Sequence, residues 1–277
     1  MIQIGEYHNL KIERLTDYGL FLENEEGNEV LLPNKYMPEN YEFGDMIRVF
    51  VYLDHEERPV ATNLTPYIKL DEFATLKCVE VSKFGAFMDW GLEKHLFVPF
   101  KEQPAPFISG YSYLVFCYLD EETERLVASA KVHAFLDNSN VELEPFEEVD
   151  LIVSNKTDLG FNVIVNKIHL GLIYHDDIFK PIKVGDRIKG IVKKVRSDNK
   201  LDIGLEKPGY RSIEPNAQKI HDKLKAEDGY LNLTDKSDPD LIKEKLQMSK
   251  KSFKKAIGSL YKDRQIDIKE DGIYLKS

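Results

Sequence analysis

Residues 83 to 90 read KFGAFMDW and residues 17 to 23 read DYGLFLE. Each stretch has an aromatic, then glycine, then a phenylalanine three places after the first ring, giving the pairs Tyr18/Phe21 and Phe84/Phe87. Such rings can stack nucleobases: every base has a π-face, and each stacked base contributes about 1–3 kcal/mol whatever its identity. In a regular strand, residues three apart point to opposite faces. A bulge at Gly85 would turn both rings to one face. The competing reading is that these aromatics fill β cores. A second candidate is KGIVKKVRSDNK, where Lys189, Lys193, Lys194, Arg196 and Lys200 alternate with Ile188, Ile191, Val192 and Val195. That pattern makes a one-sided basic face able to neutralise backbone phosphates, or else an edge strand that lysines guard against aggregation.

No residues are assigned to catalysis, a metal or a cofactor. The chain has no phosphate-binding Walker loop, no G-x-S-x-G and no H-E-x-x-H. His169, His175, Asp176 and Asp177 match no zinc or calcium spacing. Asp235, Asp238 and Asp240 read as turn and cap residues. Cys78 and Cys117 lie in apolar strand-like runs and read as packing residues of a reducing compartment. The N-terminal MIQIGEYHNL lacks the blocks of a signal peptide, and no apolar run approaches a membrane span. We therefore expect a folded cytoplasmic protein with no membrane partner. Its net charge is −10, unevenly spread: residues 1–144 hold 12 Lys+Arg against 26 Asp+Glu, and 145–277 hold 26 against 22. A polyanion should therefore favour the C-terminal half.

The elements that must position these residues recur three times. LKIERLTDYGLFLEN with GDMIRVFVYLDHEERPVATN, LKCVEVSKFGAFMDW with GYSYLVFCYLDEETERLVASA, and VDLIVSNKTDLGFNVIVN with GDRIKGIVKKVRSDNKLDIGLE share one layout. In each, a strand, a bend at Gly19, Gly85 or Gly160, and a second strand precede a later strand pair around an acidic turn. The length suits a small five-stranded barrel per repeat. We expect mainly β structure with a C-terminal α+β domain: barrels at 1–66, 67–144 and 145–210, and a further domain at 211–277. Pro208, Gly209 and Pro215 mark the linker. Beyond it NAQKIHDKLKA reads as a helix, Asp238 and Pro239 open a second, and Ser249 opens a third. The third helix carries Phe253, Ala256, Ile257, Leu260 and Tyr261 on one stripe, with Lys250, Lys251, Lys254 and Lys255 facing water. Asp271-Gly272 signals a hairpin. Helix, strand, two helices and a hairpin suggest a winged helix.

The F-G-A-F bend, the short strand GLIYHDD and the Gly-Asp strand beyond it resemble the S1 RNA-binding domain, an OB-fold barrel, here repeated three times. With the winged helix, the whole chain resembles the conserved virulence factor B family, regarded as RNA-binding. That resemblance assigns Tyr18, Phe21, Phe84 and Phe87 to base stacking, and it sets Tyr174 and His175 where the S1 pattern has a histidine. It aligns Leu32 and Val98 with them in the other repeats, and makes Arg58 and Arg125 basic contact residues. Repeat three lacks the platform, having Leu159 and Asn162 instead, but has the lysines. We expect it to be the stronger binding barrel, because backbone neutralisation supplies most of the affinity.

The reading is a non-catalytic, RNA-binding regulatory or accessory protein. Single-stranded RNA would lie on repeat three and the winged helix, while the acidic N-terminal barrels extend the site or dock a protein. The alternatives are a DNA-binding winged-helix transcription regulator and an RNA-processing enzyme.

Overall fold

The computed structural model describes residues 2–178, 181–205 and 215–276, so the linker residues Pro208 and Gly209 lie outside the described residues. The chain forms two compact units, Met1–Ile203 and Gly204–Ser277.

Three closed five-stranded barrels make up the first unit. Barrel one comprises β1 (Glu6–Thr16), β2 (Gly19–Glu23), β3 (Glu29–Pro33), β4 (Met46–Leu53) and β5 (Pro59–Thr62). Barrel two comprises β6 (Phe73–Val81), β7 (Gly85–Asp89), β8 (Leu96–Pro99), β9 (Ser112–Asp120) and β10 (Arg125–Ser129). Barrel three comprises β11 (Glu148–Lys156), β12 (Gly160–Val165), β13 (His169–Tyr174), β14 (Arg187–Val195) and β15 (Leu201–Gly204). All three share one strand order, in which the fifth strand pairs parallel with the third and antiparallel with the fourth. Alternation drives the closure: in β7, Ala86 and Met88 face the core while Phe87 and Asp89 face outward.

The expected bulge is present, but on another strand. The register shifts fall in the first strand of each barrel, between Ile12 and Arg14, Cys78 and Glu80, and Val153 and Asn155. Gly85 instead begins β7 in regular pairing with Pro99. Its lack of a side chain serves a close approach: a Cβ there would lie 2.3 Å from the Val98 carbonyl oxygen. At Gly19 the distance to the Leu32 oxygen is 2.1 Å, and at Gly160 the distance to the Ile173 oxygen is 1.9 Å. The repeat glycine is thus a steric requirement where the second strand pairs closely with the end of the third.

The barrels do not hang separately. Trp90 of barrel two packs edge-on against Phe50 and Tyr52 of barrel one at 5.9 and 6.2 Å, and all three belong to one continuous apolar cluster with Leu76, Met88 and Val115. Barrels two and three share a second cluster, in which Phe73 and Phe116 meet Ile152 and Ile164. Around it, Lys167 pairs with Glu72 at 3.0 Å and the Arg187 guanidinium donates to the Phe73 carbonyl. Both cysteines are free and buried, and burial pushes the Cys117 thiol up to about 12.

In the second unit, α1 (Pro215–Ala226), β16 (Tyr230–Leu231), α2 (Pro239–Leu246), α3 (Lys250–Lys262), β17 (Ile266–Ile268) and β18 (Ile273–Leu275) surround one core. Pro215 opens α1 rather than ending the linker, as its fixed φ allows at a first helical turn. Asp238 caps α2 and Ser249 caps α3, each accepting from a backbone N–H of the first turn. Tyr261 leaves the expected stripe and is 56% exposed. Eight residues beyond Phe253 at about 100° per residue it has rotated roughly 80° away, whereas Leu260 returns to the same face. The hairpin closes where the Lys269 N–H donates to the Gly272 carbonyl.

Two alanine substitutions separate steric need from helix propensity. Gly85→Ala should lower stability in urea unfolding by about 1–3 kcal/mol or more, because backbone must move. Gly258→Ala, in an exposed position of α3 with nothing within 4 Å of the new methyl, should raise it by about 0.5–1 kcal/mol.

Candidate nucleic-acid interface

Phe84 and Phe87 do come together, though not through the expected irregularity. Phe84 lies in the turn before β7, where alternation has not begun, and is 66% exposed. Phe87 is the first outward residue of the strand itself. Both line one open cavity of about 680 Å³, whose wall also includes Phe97, Trp90, Lys94, His95 and Arg125 of barrel two, and His55 and Glu57 of barrel one. Phe97 sits directly across from Phe87 on β8, with ring centroids 5.2 Å apart and planes tilted by 42°. The Lys83 ammonium stands 4.9 Å above the Phe84 ring.

The equivalent faces of the other barrels are less open to stacking. In barrel one Tyr18 is 77% exposed, but the Arg14 guanidinium covers the Phe21 ring at 3.8 Å and is itself held by Glu29. The residue across from Phe21 is Leu31. In barrel three Leu159 is exposed, and Asn162 faces Leu172 while donating to Asn155 at 3.2 Å. A cross-strand aromatic pair therefore occurs at this site in barrel two alone of the three.

The basic strand of barrel three is not a free cationic face. Lys189 pairs with Asp150 at 2.5 Å, Lys193 with Asp177 at 2.8 Å, Arg196 with Asp202 at 2.8 Å and Lys200 with Asp198 at 2.8 Å. Lys194 makes no ion pair among the described residues, and as the neighbour of Lys193 in the strand it points the other way. The Tyr174 hydroxyl accepts from Arg196, and exposed His175 begins a short 3-10 turn beside Phe161. Register also corrects the alignment of the repeats: Tyr174 pairs with Gly160 as Pro33 does with Gly19 and Pro99 with Gly85. Leu32 and Val98 match Ile173 instead, and all three are buried core residues.

Arg58 is held by Asp54 and Glu56. Arg125 and Lys94 share Glu57, at 3.0 and 2.9 Å. These pairs lie at the surface, where an ion pair is worth about 0–1 kcal/mol, with Lys94 and Asp54 half-buried.

On α3, Lys251, Lys254 and Lys255 are exposed, and the Lys254 ammonium approaches Asp235 at 3.8 Å. Lys250, expected to face water, is half-buried, and its ammonium donates to the Lys236 carbonyl at 3.4 Å. Among the described residues, no three His, Cys, Asp or Glu side chains are grouped to hold a metal, and no helix is long and apolar enough to cross a membrane.

Phe97 and Lys94 escaped the sequence reading. Alternation in LFVP, with Leu96 and Val98 inward, points Phe97 outward; the sequence does not bring Glu57 to Lys94, because barrel packing does.

Residues 4–64, covering barrel one, match the S1 domain family, and residues 218–275 match the CvfB-like winged helix domain. The chain thus combines S1-type barrels with a winged helix, both nucleic-acid-binding types of domain. It resembles the conserved virulence factor B family over nearly its whole length. The Staphylococcus epidermidis protein of that name is 26% identical over 98% of this chain and 94% of its own. An uncharacterised Bacillus subtilis protein, YitL, is 28% identical over 95% of this chain and 90% of its own. A crystal structure of a Streptococcus pneumoniae multidomain protein with nucleic acid binding domains aligns over 99% of this chain and 98% of its own, at 24% identity and a TM-score of 0.45.

Exposure of Phe84 sets an expectation for stability. Phe84→Ala should leave the unfolding free energy within about 0.5 kcal/mol of wild type. Phe73→Ala, which empties a core position between barrels two and three, should cost about 3–5 kcal/mol by the same denaturant titration.

Proposed function

We propose that the protein binds single-stranded RNA without cutting it, as a regulatory or accessory factor. The observation that carries this reading is the open aromatic cavity formed by Phe84, Phe87 and Phe97 with Lys94 and Arg125 at its rim. Rings that stay exposed in a folded protein, against the pull of apolar burial, suit flat, unpaired bases, which duplexes keep stacked inside. Tyr18 and Phe21 extend the stacking surface on barrel one. Lys189, Lys193, Lys194, Arg196 and Lys200 of barrel three, with Tyr174 and His175 beside them, and Lys250, Lys251, Lys254 and Lys255 of α3, add backbone contacts once the strand is held.

Because the cations near β14 and at the barrel-two rim alike carry carboxylate partners, the aromatic rings of barrel two move the weight of binding from barrel three toward it. A lysine already matched by an aspartate adds less to counterion release than a free one.

In gel retardation and fluorescence titration, the protein should prefer single-stranded RNA to duplex DNA, lose affinity as salt rises and leave the strand intact with or without magnesium. Phe84→Ala with Phe87→Ala should weaken binding about tenfold to a hundredfold, more than Lys193→Glu with Lys194→Glu. Preference for duplex DNA would support a transcription regulator, degradation would support an enzyme, and the reverse order of the two double variants would return barrel three to first place.

A further inference from the structure

One carboxylate on barrel one controls both cations at the rim of the barrel-two cavity. Glu57 lies in the turn between β4 and β5 with φ 62, a left-handed conformation that non-glycine residues adopt sparingly. From there one oxygen meets the Lys94 ammonium at 2.9 Å and the other meets Arg125 at 3.0 Å. Lys94 is also anchored, donating to the Asp54 carbonyl at 2.7 Å. The two cations are therefore held one bidentate anion apart, with Phe84, Phe87 and Phe97 lining the same cavity. A phosphodiester also presents two anionic oxygens to such a pair. Bases on the rings would bring a backbone phosphate to this rim.

We propose that Glu57 occupies a phosphate subsite: the backbone of a bound strand displaces its carboxylate from Lys94 and Arg125, so that barrel one competes with RNA for barrel two's cations. The inference rests on the single-strand-binding reading and adds to it a phosphate position and the residue that guards it. Displacement frees a carboxylate that takes up a cation from solution, offsetting part of the counterion release on binding. In the wild type the salt dependence is accordingly shallower than the number of phosphates contacted would imply.

Trp90, the single tryptophan in the chain, is buried in the cavity wall, so binding is read from the anisotropy of a fluorescein-labelled strand. The strand is an oligouridylate of roughly eight nucleotides, within the span of one OB barrel. Glu57→Gln should tighten binding about fivefold, the combined worth of its two surface ion pairs, and should steepen the slope of log affinity against log salt by about 0.7. Glu122→Gln, the same charge change on the exposed turn before Arg125, where the carboxylate holds no cation among the described residues, should shift affinity less than about twofold. Lys94→Met should weaken binding and cancel the gain from Glu57→Gln. Equal effects of Glu122→Gln and Glu57→Gln would reduce the effect to general charge and overturn the subsite, as would an unchanged affinity in Glu57→Gln. If the wild type binds and Phe84→Ala weakens it while Glu57→Gln does nothing, the subsite alone falls. If the wild type does not respond to the oligonucleotide at all, the single-strand reading falls with it.

Discussion

In each barrel the second strand pairs so closely with the end of the third that a single methyl at Gly19, Gly85 or Gly160 would collide with a backbone carbonyl. That close pairing fixes where the outward rings of barrel two stand. Because β7 must start at the glycine, the residue before it is left in the turn, free of alternation, and the second residue after it is the first outward strand position. The spacing of three between the two phenylalanines is the imprint of this approach. Barrel one makes the same approach with Tyr18 and Phe21 but has Leu31 opposite Phe21, and barrel three has Leu159 and Asn162 with Leu172 opposite, so architecture alone does not produce the cross-strand aromatic pair. That pair needs the approach together with aromatic residues on both the second and third strands.

Much of the fold was legible because it depends on local rules. Alternation and the thrice-repeated bend led to three barrels, and capping chemistry located Asp238 and Ser249. The contribution of Tyr261 was misjudged because a stripe extended over eight residues drifts out of phase with the core. The bulge was sought at the glycine, since glycine is its usual marker, yet the extra residue lies on the facing strand. Long-range pairings were the illegible part. Nothing near KGIVKKVRSDNK in the chain says that Asp150 and Asp177 will neutralise Lys189 and Lys193. Composition suggested that the half richer in lysine should attract a polyanion, whereas the structure pairs three of the four lysines of KGIVKKVRSDNK that could form its basic face, Lys189, Lys193 and Lys200, with acids.

The acidity of the first two barrels and the pairing in the third belong to one pattern. Around the proposed binding faces, arginines and lysines are present but carry a carboxylate partner: Arg14 with Glu29, Arg58 with Asp54, Lys94 and Arg125 with Glu57, Arg196 with Asp202. A surface built this way has little reach for polyanions at a distance, and the contacts become useful only once another force has brought the strand near. Aromatic stacking supplies such a short-range force. Under the proposed single-strand reading, this arrangement would favour unpaired bases over any passing duplex, since a duplex offers charge but no accessible ring faces.

Trp90 carries one more implication through its burial against Phe50 and Tyr52. The unit that repeats along the sequence is one barrel, but the smallest piece that keeps its interior dry is larger. Cutting between the first two repeats would strip an indole and two aromatic rings of their cover, and separating the second from the third would do the same to Phe73 and Ile164. These barrels therefore behave as fused vertebrae rather than beads on a string, and once joined they could diverge in sequence but no longer be shuffled singly.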